Sequence, residues 1–245
     1  MYVPFSCQKC KEMGLDSSQA KVLSLYRDDG IYDIQCKHGH NFVGVFQRHL
    51  YQILFEIGAY AILDGYYRES VASFASSLER FLEYYIQVIA ISKNIDMEAY
   101  KKAWKLISAQ SERQFGAFIF IYLYVNKKPP NLLTEKYRSF RNDVIHKGKI
   151  PTKEKAIEYG DCVKNTIEDL TLELCEIDQE AMNTVVRQFL AEAQSKIGGQ
   201  YAQNVSTTTI LGRSKGEIYN WKRPNLETHL ERIEHVRRTW LEEKS

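Results

Sequence analysis

The chain lacks the features that would place it at once in several large classes of protein. No apolar run of about 18 residues occurs, so the sequence predicts no transmembrane helix and no membrane partner. A Gly-x-x-x-x-Gly-Lys loop and a His-Glu-x-x-His sequence are both missing, which argues against a nucleotide hydrolase and against a zinc hydrolase. Residues 1–6 lack the basic and apolar regions of a secretory signal, and we therefore expect a cytoplasmic protein.

The chain also has a small net charge and few cysteines. The chain carries 33 basic and 31 acidic residues, a formal net charge of +2, so nucleic-acid binding would require a local basic patch. There are 5 cysteines, an odd number, and two of them form a Cys-x-x-Cys sequence. This pattern favours a metal site plus buried thiols over a disulfide framework.

The N-terminal segment holds two clusters of metal-ligand residues, at 7–10 and 36–40. Between them, β-prone runs at 21–26 and 31–36 flank an Asp-Gly turn at 28–30. This arrangement predicts a β-hairpin between these two runs. Folding of the hairpin would bring the two clusters together.

Tetrahedral zinc prefers four nitrogen or sulfur ligands in such a pair-plus-pair arrangement. The predicted ligands are Cys7, Cys10, Cys36 and His40, with His38 as the competing fourth ligand. The alternative is a segment of buried thiols and exposed histidines without a metal. The Cys-x-x-Gly-His order resembles the second knuckle of zinc ribbons, and a closed set of four ligands implies a structural zinc ion. We therefore predict a zinc-ribbon-like module over residues 1–45.

From residue 46 onward the apolar residues recur at helical spacing. Long amphipathic stripes of this kind predict a helical bundle over residues 46–180. The predicted helices lie at 46–64, around 71–89, at 97–108 and at 112–125.

A further long helix is predicted after Pro151, with Thr152 as its N-cap and Glu154 in its first turn. Cys162 and Cys175 lie on this helix and are expected to be buried thiols. Its apolar stripe consists of Ala156, Tyr159, Val163, Ile167, Leu170 and Leu174.

Residues 181–245 form a C-terminal extension whose role the sequence does not define. One helix is expected at about 182–193, residues 198–209 are polar and turn-like, and Asn225 is a candidate cap for a last helix. The extension could pack on the bundle, reach a partner, contact RNA or remain a solvated polar tail. Its candidate RNA contacts are Arg213, Lys215, Lys222 and Arg223.

The stretch 137–152 combines groups suited to phosphodiester chemistry. Arg141 and His146 are separated by four residues, and Gly148 followed by Pro151 predicts a helix end just after the histidine. An imidazole can exchange a proton near neutral pH, and a guanidinium is always charged and shaped for phosphate.

At helical spacing, Arg138, Asn142 and His146 share one face, with Arg141 on its flank. The apolar residues of this helix lie roughly opposite, so the polar row points away from the core. One interpretation is that the row faces a second copy of the chain across a shared groove. The other is that His146 caps the helix end among surface charges.

The string Arg141-Asn142-Asp143-Val144-Ile145-His146, within a helical bundle, resembles the signature of HEPN domains. These are helical dimers found among ribonuclease toxins and phage-defence effectors. Residues 66–81 also resemble the early helix of that family, on which Glu79 corresponds to a polar residue that faces the site. The resemblance covers roughly residues 46–180 and implies a mainly α fold, with the small β zinc ribbon preceding it.

This resemblance implies a metal-independent endoribonuclease acting as a homodimer on RNA. His146 would serve as general base or acid, Arg141 would hold the phosphate, and Asn142 would orient the phosphate or the imidazole. The expected products carry 2′,3′-cyclic phosphate and 5′-hydroxyl ends. The basic side chains expected to contact RNA are Arg138, Lys147 and Lys149. The alternative function is a non-catalytic HEPN dimer that binds RNA or regulates a protein partner.

Overall fold

The computed structural model describes residues 1–16, 20–205, 209–212 and 223–242, the last range with side chains up to residue 238. It forms two units, which we describe separately. Unit 1 comprises Met1–His49 and Asn183–Thr208, and unit 2 comprises Leu50–Met182 and Thr209–Ser245. The stretch 181–245, predicted as one extension, is divided between the two units.

Unit 1 carries the β structure. Its elements are β1 (Tyr2–Ser6), α1 (Gln8–Glu12), β2 (Lys21–Leu25), β3 (Ile31–Gln35), β4 (Asn41–Phe46) and β5 (Ala202–Val205). Strands β1 and β2 form an antiparallel pair, while β3, β4 and β5 form a second sheet in that order. Within the second sheet, β4 pairs antiparallel with β3 and parallel with β5.

The predicted hairpin across residues 28–30 is wrong. Strand β2 pairs with β1, and β3 pairs with β4 across the turn at 36–40. Strand β1 buries Val3 and Phe5 completely, so it offers β2 an apolar partner that a local turn signal does not reveal. Phe46, expected to begin a helix, instead ends β4, and its N–H donates to the Gly30 carbonyl at 2.8 Å.

Unit 2 is helical, which confirms the prediction of a mainly α chain with a small N-terminal β region. Its helices are α2 (Leu50–Leu63), α3 (Tyr67–Ser92), α4 (Met97–Ile107), α5 (Ser111–Asn126), α6 (Glu135–His146), α7 (Lys153–Lys196) and α8 (Leu226–Glu242). Helix α7 runs into unit 1 beyond residue 182. Within the described part of the chain, no helix is both long enough and apolar enough to cross a membrane.

Helix α3 is the centre of the bundle and contacts α2, α4, α5 and α6. Its residues Phe74, Phe81 and Tyr85 are fully buried. The predicted stripe of α7 is also buried at all six positions. The Thr152 hydroxyl accepts a hydrogen bond from the Lys155 N–H at 3.4 Å, which is the predicted capping contact. Cys175 is buried as predicted, whereas Cys162 is only half-buried.

The C-terminal residues differ from the prediction in two places. The helix expected at 182–193 is the continuation of α7 beyond Asp178, whose backbone (φ −164°, ψ 90°) is not helical. Strand β5 lies within the run predicted to be turn-like. The Asn225 cap is confirmed, because its Oδ1 accepts from the Thr228 N–H at 2.9 Å. Arg213, Lys215 and Lys222 lie outside the described residues, and Arg223 donates to Asp169 at 2.5 Å.

Candidate metal centre and candidate active site

Three thiols and one imidazole converge in unit 1, and this cluster could hold a metal ion. We call it the thiol cluster. The ligand atoms of its four residues, Cys7, Cys10, Cys36 and His40, all lie within 4.8 Å of one another. His40 Nδ1 is 3.6 Å from Cys7 Sγ, 3.3 Å from Cys10 Sγ and 3.6 Å from Cys36 Sγ.

These distances fit a tetrahedral ion. Zn–S and Zn–N bonds of ordinary length imply about 3.8 Å between two sulfur ligands and about 3.6 Å between sulfur and nitrogen. The distance from Cys10 Sγ to Cys36 Sγ is 3.6 Å, and the three sulfur–nitrogen distances are close to the expected value. The four atoms therefore have the spacing of a ligand shell.

Local backbone geometry positions both halves of the thiol cluster. Cys7 stands just before the short helix α1, and Cys10 lies within it, so one helical turn directs both thiols inward. The second half is the tight turn between β3 and β4. There the Cys36 N–H donates to the His40 carbonyl at 3.0 Å. Gly39 has φ +81°, a conformation that favours glycine.

The surroundings of the thiols are apolar. All three cysteines are buried, and Leu15 and Phe42 pack against them. Burial, together with hydrogen bonds to neighbouring thiols, raises the pKa of Cys10 to about 12. Because like charges packed this closely repel each other, the thiols need a bound cation to ionise together.

His38 is the weaker candidate for the fourth ligand. Its Nδ1 lies 3.3 Å from Cys10 Sγ, but its side chain is exposed. The His40 imidazole approaches all three thiols, whereas the one contact described for the His38 imidazole is with Cys10. The geometry therefore favours His40, the ligand predicted first.

The second candidate site lies in unit 2, where the guanidinium of Arg141 contacts three other side chains. We call these four residues the Arg141 cluster. Arg141 Nη1 lies 3.3 Å from His146 Nε2 and donates to Asn142 Oδ1 at 3.1 Å. Arg141 Nη2 donates to Glu79 Oε1 at 2.8 Å. The four predicted catalytic residues are thus in one connected group.

Helix α6 orients this cluster as its periodicity predicts. Val144 is fully buried, and the ring of Phe140 packs on Tyr159 with centroids 5.7 Å apart. Asn142 and His146 are exposed on the other side. Arg141 and His146 are five positions apart and do not share a helical face, but the long arginine side chain reaches across the four residues between them. Sequence spacing alone did not reveal that contact.

The predicted RNA contacts lie on the surface beside this cluster. Lys147 and Lys149 pair with Asp143 at 2.9 and 3.8 Å, and Arg138 pairs with Glu135 at 2.9 Å. All three basic side chains are more than half exposed. The hydrogen bond from Lys147 and its charge lower the pKa of Asp143. Exposed ion pairs of this kind are worth only about 0–1 kcal/mol, so the cations can exchange partners.

A cavity of about 290 Å³ adjoins the Arg141 cluster within unit 2. Helices α3, α5, α6 and α7 all contribute to its lining, which includes Arg141, Asn142 and Glu79. Sequence reasoning did not single out Glu112 or Phe115, which reach the cavity from α5. No local motif marks them, because only the packing of helices distant in sequence places them there. The apolar lining includes Leu78, Leu82, Phe115, Leu133 and Tyr159.

Comparison with known proteins adds no assignment. Scans against protein-family models, curated proteins and solved structures gave no match for this chain. The two candidate sites therefore rest on their residues and geometry.

Proposed function

We propose that unit 2 is a metal-independent endoribonuclease of the HEPN type, with His146 and Arg141 at its active site. The observation that carries this proposal is the 3.3 Å contact between Arg141 Nη1 and His146 Nε2. It joins a phosphate-binding group to a proton-transfer group at the end of α6.

This contact has a chemical consequence. A guanidinium can only donate, so in a hydrogen bond across this contact Nε2 of His146 is the acceptor, as a general base requires. Its lone pair points toward the group that would hold a phosphate. A phosphate bound at Arg141 would therefore meet a base already oriented toward it.

In the proposed reaction, His146 removes the proton of a ribose 2′-hydroxyl, and the oxygen attacks the adjacent phosphorus. The bond to the 5′-oxygen breaks as the ring closes. The partner subunit's His146, in its protonated form, gives its proton to the leaving oxygen, so the products are a 2′,3′-cyclic phosphate and a 5′-hydroxyl. Arg141 stabilises the added negative charge on the phosphate, and Asn142 and Glu79 hold the guanidinium in place.

The shared groove is part of this proposal. Arg138, Asn142 and His146 form an exposed polar row on α6, and two such rows would line one phosphate path in a twofold dimer. Dilution tests this point. Cleavage per chain should fall once the concentration drops below that at which light scattering detects a dimer. Activity that stays constant in a monomer would contradict the shared groove.

We further propose that the thiol cluster binds zinc. Cys7, Cys10, Cys36 and His40 would complete a tetrahedral shell, which leaves no open position for a substrate. The ion would cross-link α1 to the turn between β3 and β4, a structural role. No catalytic step is assigned to it.

The decisive test is RNA cleavage by purified His146→Ala protein, with His235→Ala as the matched control. His235 is an exposed histidine on α8 outside the Arg141 cluster. We expect His146→Ala to lower the cleavage rate by about 10²–10⁴-fold, the usual contribution of acid–base catalysis, and His235→Ala to leave it unchanged. End-group analysis of the products should show cyclic phosphate and 5′-hydroxyl.

Full cleavage by His146→Ala would refute the proposal. RNA that is bound but not cleaved by the wild-type protein would instead identify a non-catalytic binding module. Assays in EDTA need a parallel measurement of bound metal, because loss of zinc could unfold unit 1 and imitate metal-dependent catalysis.

A further inference from the structure

The cavity beside the Arg141 cluster has the size and lining of a small-molecule site. Its volume of about 290 Å³ is at the lower end of the range of about 300–1,000 Å³ for ligand pockets. Leu82 and Tyr159 on its wall are buried, and Phe115 and Leu133 are half-buried. Such a cavity suits one flat heterocycle that packs against an aromatic ring.

Two glutamates also line this cavity, Glu79 as a half-buried residue and Glu112 as an exposed one. Glu79 uses Oε1 to hold Arg141. Its Oε2 makes no hydrogen bond with any residue that the structure describes, and neither does Glu112, which lies in the first turn of α5. An ionised carboxylate can only accept hydrogen bonds. The two glutamates therefore favour a ligand that presents N–H donors at its edge.

Arg141 links this cavity to the phosphate site. Arg141 lines the cavity, and its guanidinium contacts His146, which is not part of the lining. A nucleotide could thus place its base in the cavity and its phosphate against Arg141. Single-stranded RNA is commonly read in this way, with a base on an aromatic side chain and hydrogen bonds to its edge.

We propose that the cavity binds one nucleobase next to the scissile phosphate and selects a base with an exocyclic amino group. This inference rests on the proposed ribonuclease function. Adenine, cytosine and guanine each offer an amino group to Glu112 or to Glu79 Oε2. Uracil has no exocyclic amino group, and its single edge N–H lies between two carbonyl oxygens, which the carboxylates repel, so it is disfavoured.

The first experiment measures binding without cleavage. AMP, CMP, GMP and UMP are titrated into the full-length protein by calorimetry. We expect at least one of the three amino-bearing nucleotides to bind about tenfold more tightly than UMP. In Glu112→Gln, whose amide can also donate, the preference for amino-bearing nucleotides over UMP should shrink to about threefold or less. The control variant Glu227→Gln on α8 should keep this preference. Phe115→Ala should weaken binding of every nucleotide.

The second experiment measures cleavage of four RNAs that differ only in the nucleotide at the cleavage site. The wild-type protein should cleave the uridine-containing RNA about tenfold more slowly than its best substrate, and Glu112→Gln should narrow this ratio. Circular dichroism of each variant shows whether a change in selectivity comes from the substituted cavity residue or from unfolding of the protein.

The two proposals can fail separately. His146-dependent cleavage with equal rates on all four RNAs, and equal or absent nucleotide binding, would overturn the base pocket and leave the ribonuclease intact. Selective nucleotide binding without any RNA cleavage would support the pocket and overturn the ribonuclease.

Discussion

The thiol cluster of unit 1 and the Arg141 cluster of unit 2 each join four side chains. The two clusters differ in how deeply those side chains are buried. The three thiols are almost completely buried, whereas Arg141 and Glu79 remain 26% and 33% exposed and His146 is on the surface. A set of buried thiols suits a permanently bound ion. An open set of charged groups can exchange its partners for a substrate.

The largest effect should come from breaking the thiol cluster. Cys36→Ala removes one ligand, and structural zinc sites contribute about 10–16 kcal/mol to folding. We expect the variant to lose the proposed zinc ion and the ordered structure of residues 1–16 and 20–49. Metal analysis by mass spectrometry and limited proteolysis measure both effects.

Two matched controls sharpen this prediction. Cys162→Ala, which removes a half-buried thiol in unit 2, should retain one equivalent of metal. His40→Ala should lose metal more completely than His38→Ala, because His40 contacts all three thiols. Wild-type protein with less than about half an equivalent of metal would contradict the zinc site.

The next largest effect should come from Arg141→Lys. Lysine has no planar fork, so it cannot donate to Glu79, Asn142 and His146 in the same geometry. We expect cleavage to fall by about 10²–10³-fold with the metal content unchanged. Arg138→Lys on the exposed row should lower the rate by less than about tenfold. Equal effects of the two substitutions would argue against a special role for Arg141.

A third prediction concerns the apolar packing that supports unit 2. A Cβ atom at Gly160 would lie 2.5 Å from Leu226 Cδ2 and 2.6 Å from Phe74 Cε2. Gly160→Ala should therefore lower the free energy of unfolding by about 1–3 kcal/mol.

Gly116→Ala is the matched control for that change. Beyond the backbone of its own helix, no atom of the residues that the structure describes lies within 4 Å of a Cβ at this position, so alanine should stabilise the protein by about 0.5–1 kcal/mol. Denaturant unfolding measures both variants, and neither should lose metal. An unfolding free energy unchanged in Gly160→Ala would contradict the tight packing of α7 on α3 and α8.

The smallest effect should come from the contact between α6 and α7. Hydrogen bonds from Lys136 and Lys155 lower the pKa of Glu158 to about 2. A lowered carboxyl pKa stabilises the fold above the usual carboxyl range, and this contribution is lost as the pH falls toward 2. Because the group is about one-third exposed, we expect Glu158→Gln to cost only about 0.5 kcal/mol at pH 7.

Unfolding of Glu158→Gln at pH 7 and near pH 3 tests the sign of this effect. The difference from the wild-type protein should shrink at the lower pH. A difference that grows on acidification would contradict the assignment. Glu98→Gln, which breaks a more exposed pair with Lys101, should change stability less at either pH.

Some features of this fold followed from local signals. The helix boundaries near 97–107 and 111–126, the Asn225 cap and the buried stripe of α7 depend on periodicity and capping within a few residues. The Cys-x-x-Cys spacing and the exposed row on α6 also depend only on residues close together in the chain. The prediction failed where a strand pairs with a segment that does not follow it directly in the chain, as for the hairpin expected around residues 28–30.

The sequence by itself determined which residues have side chains suited to metal binding and acid–base chemistry and which helical faces are apolar, because both follow from residue type and spacing. Only the tertiary structure decided that β2 pairs with β1, that β5 joins β4, and that Phe115 and Glu112 line a cavity beside Arg141. Strand partners and cavity walls come from segments far apart in the chain. Which segments pair or line a cavity depends on which arrangement of buried surfaces has the lowest free energy. Residues close together in the chain do not specify this.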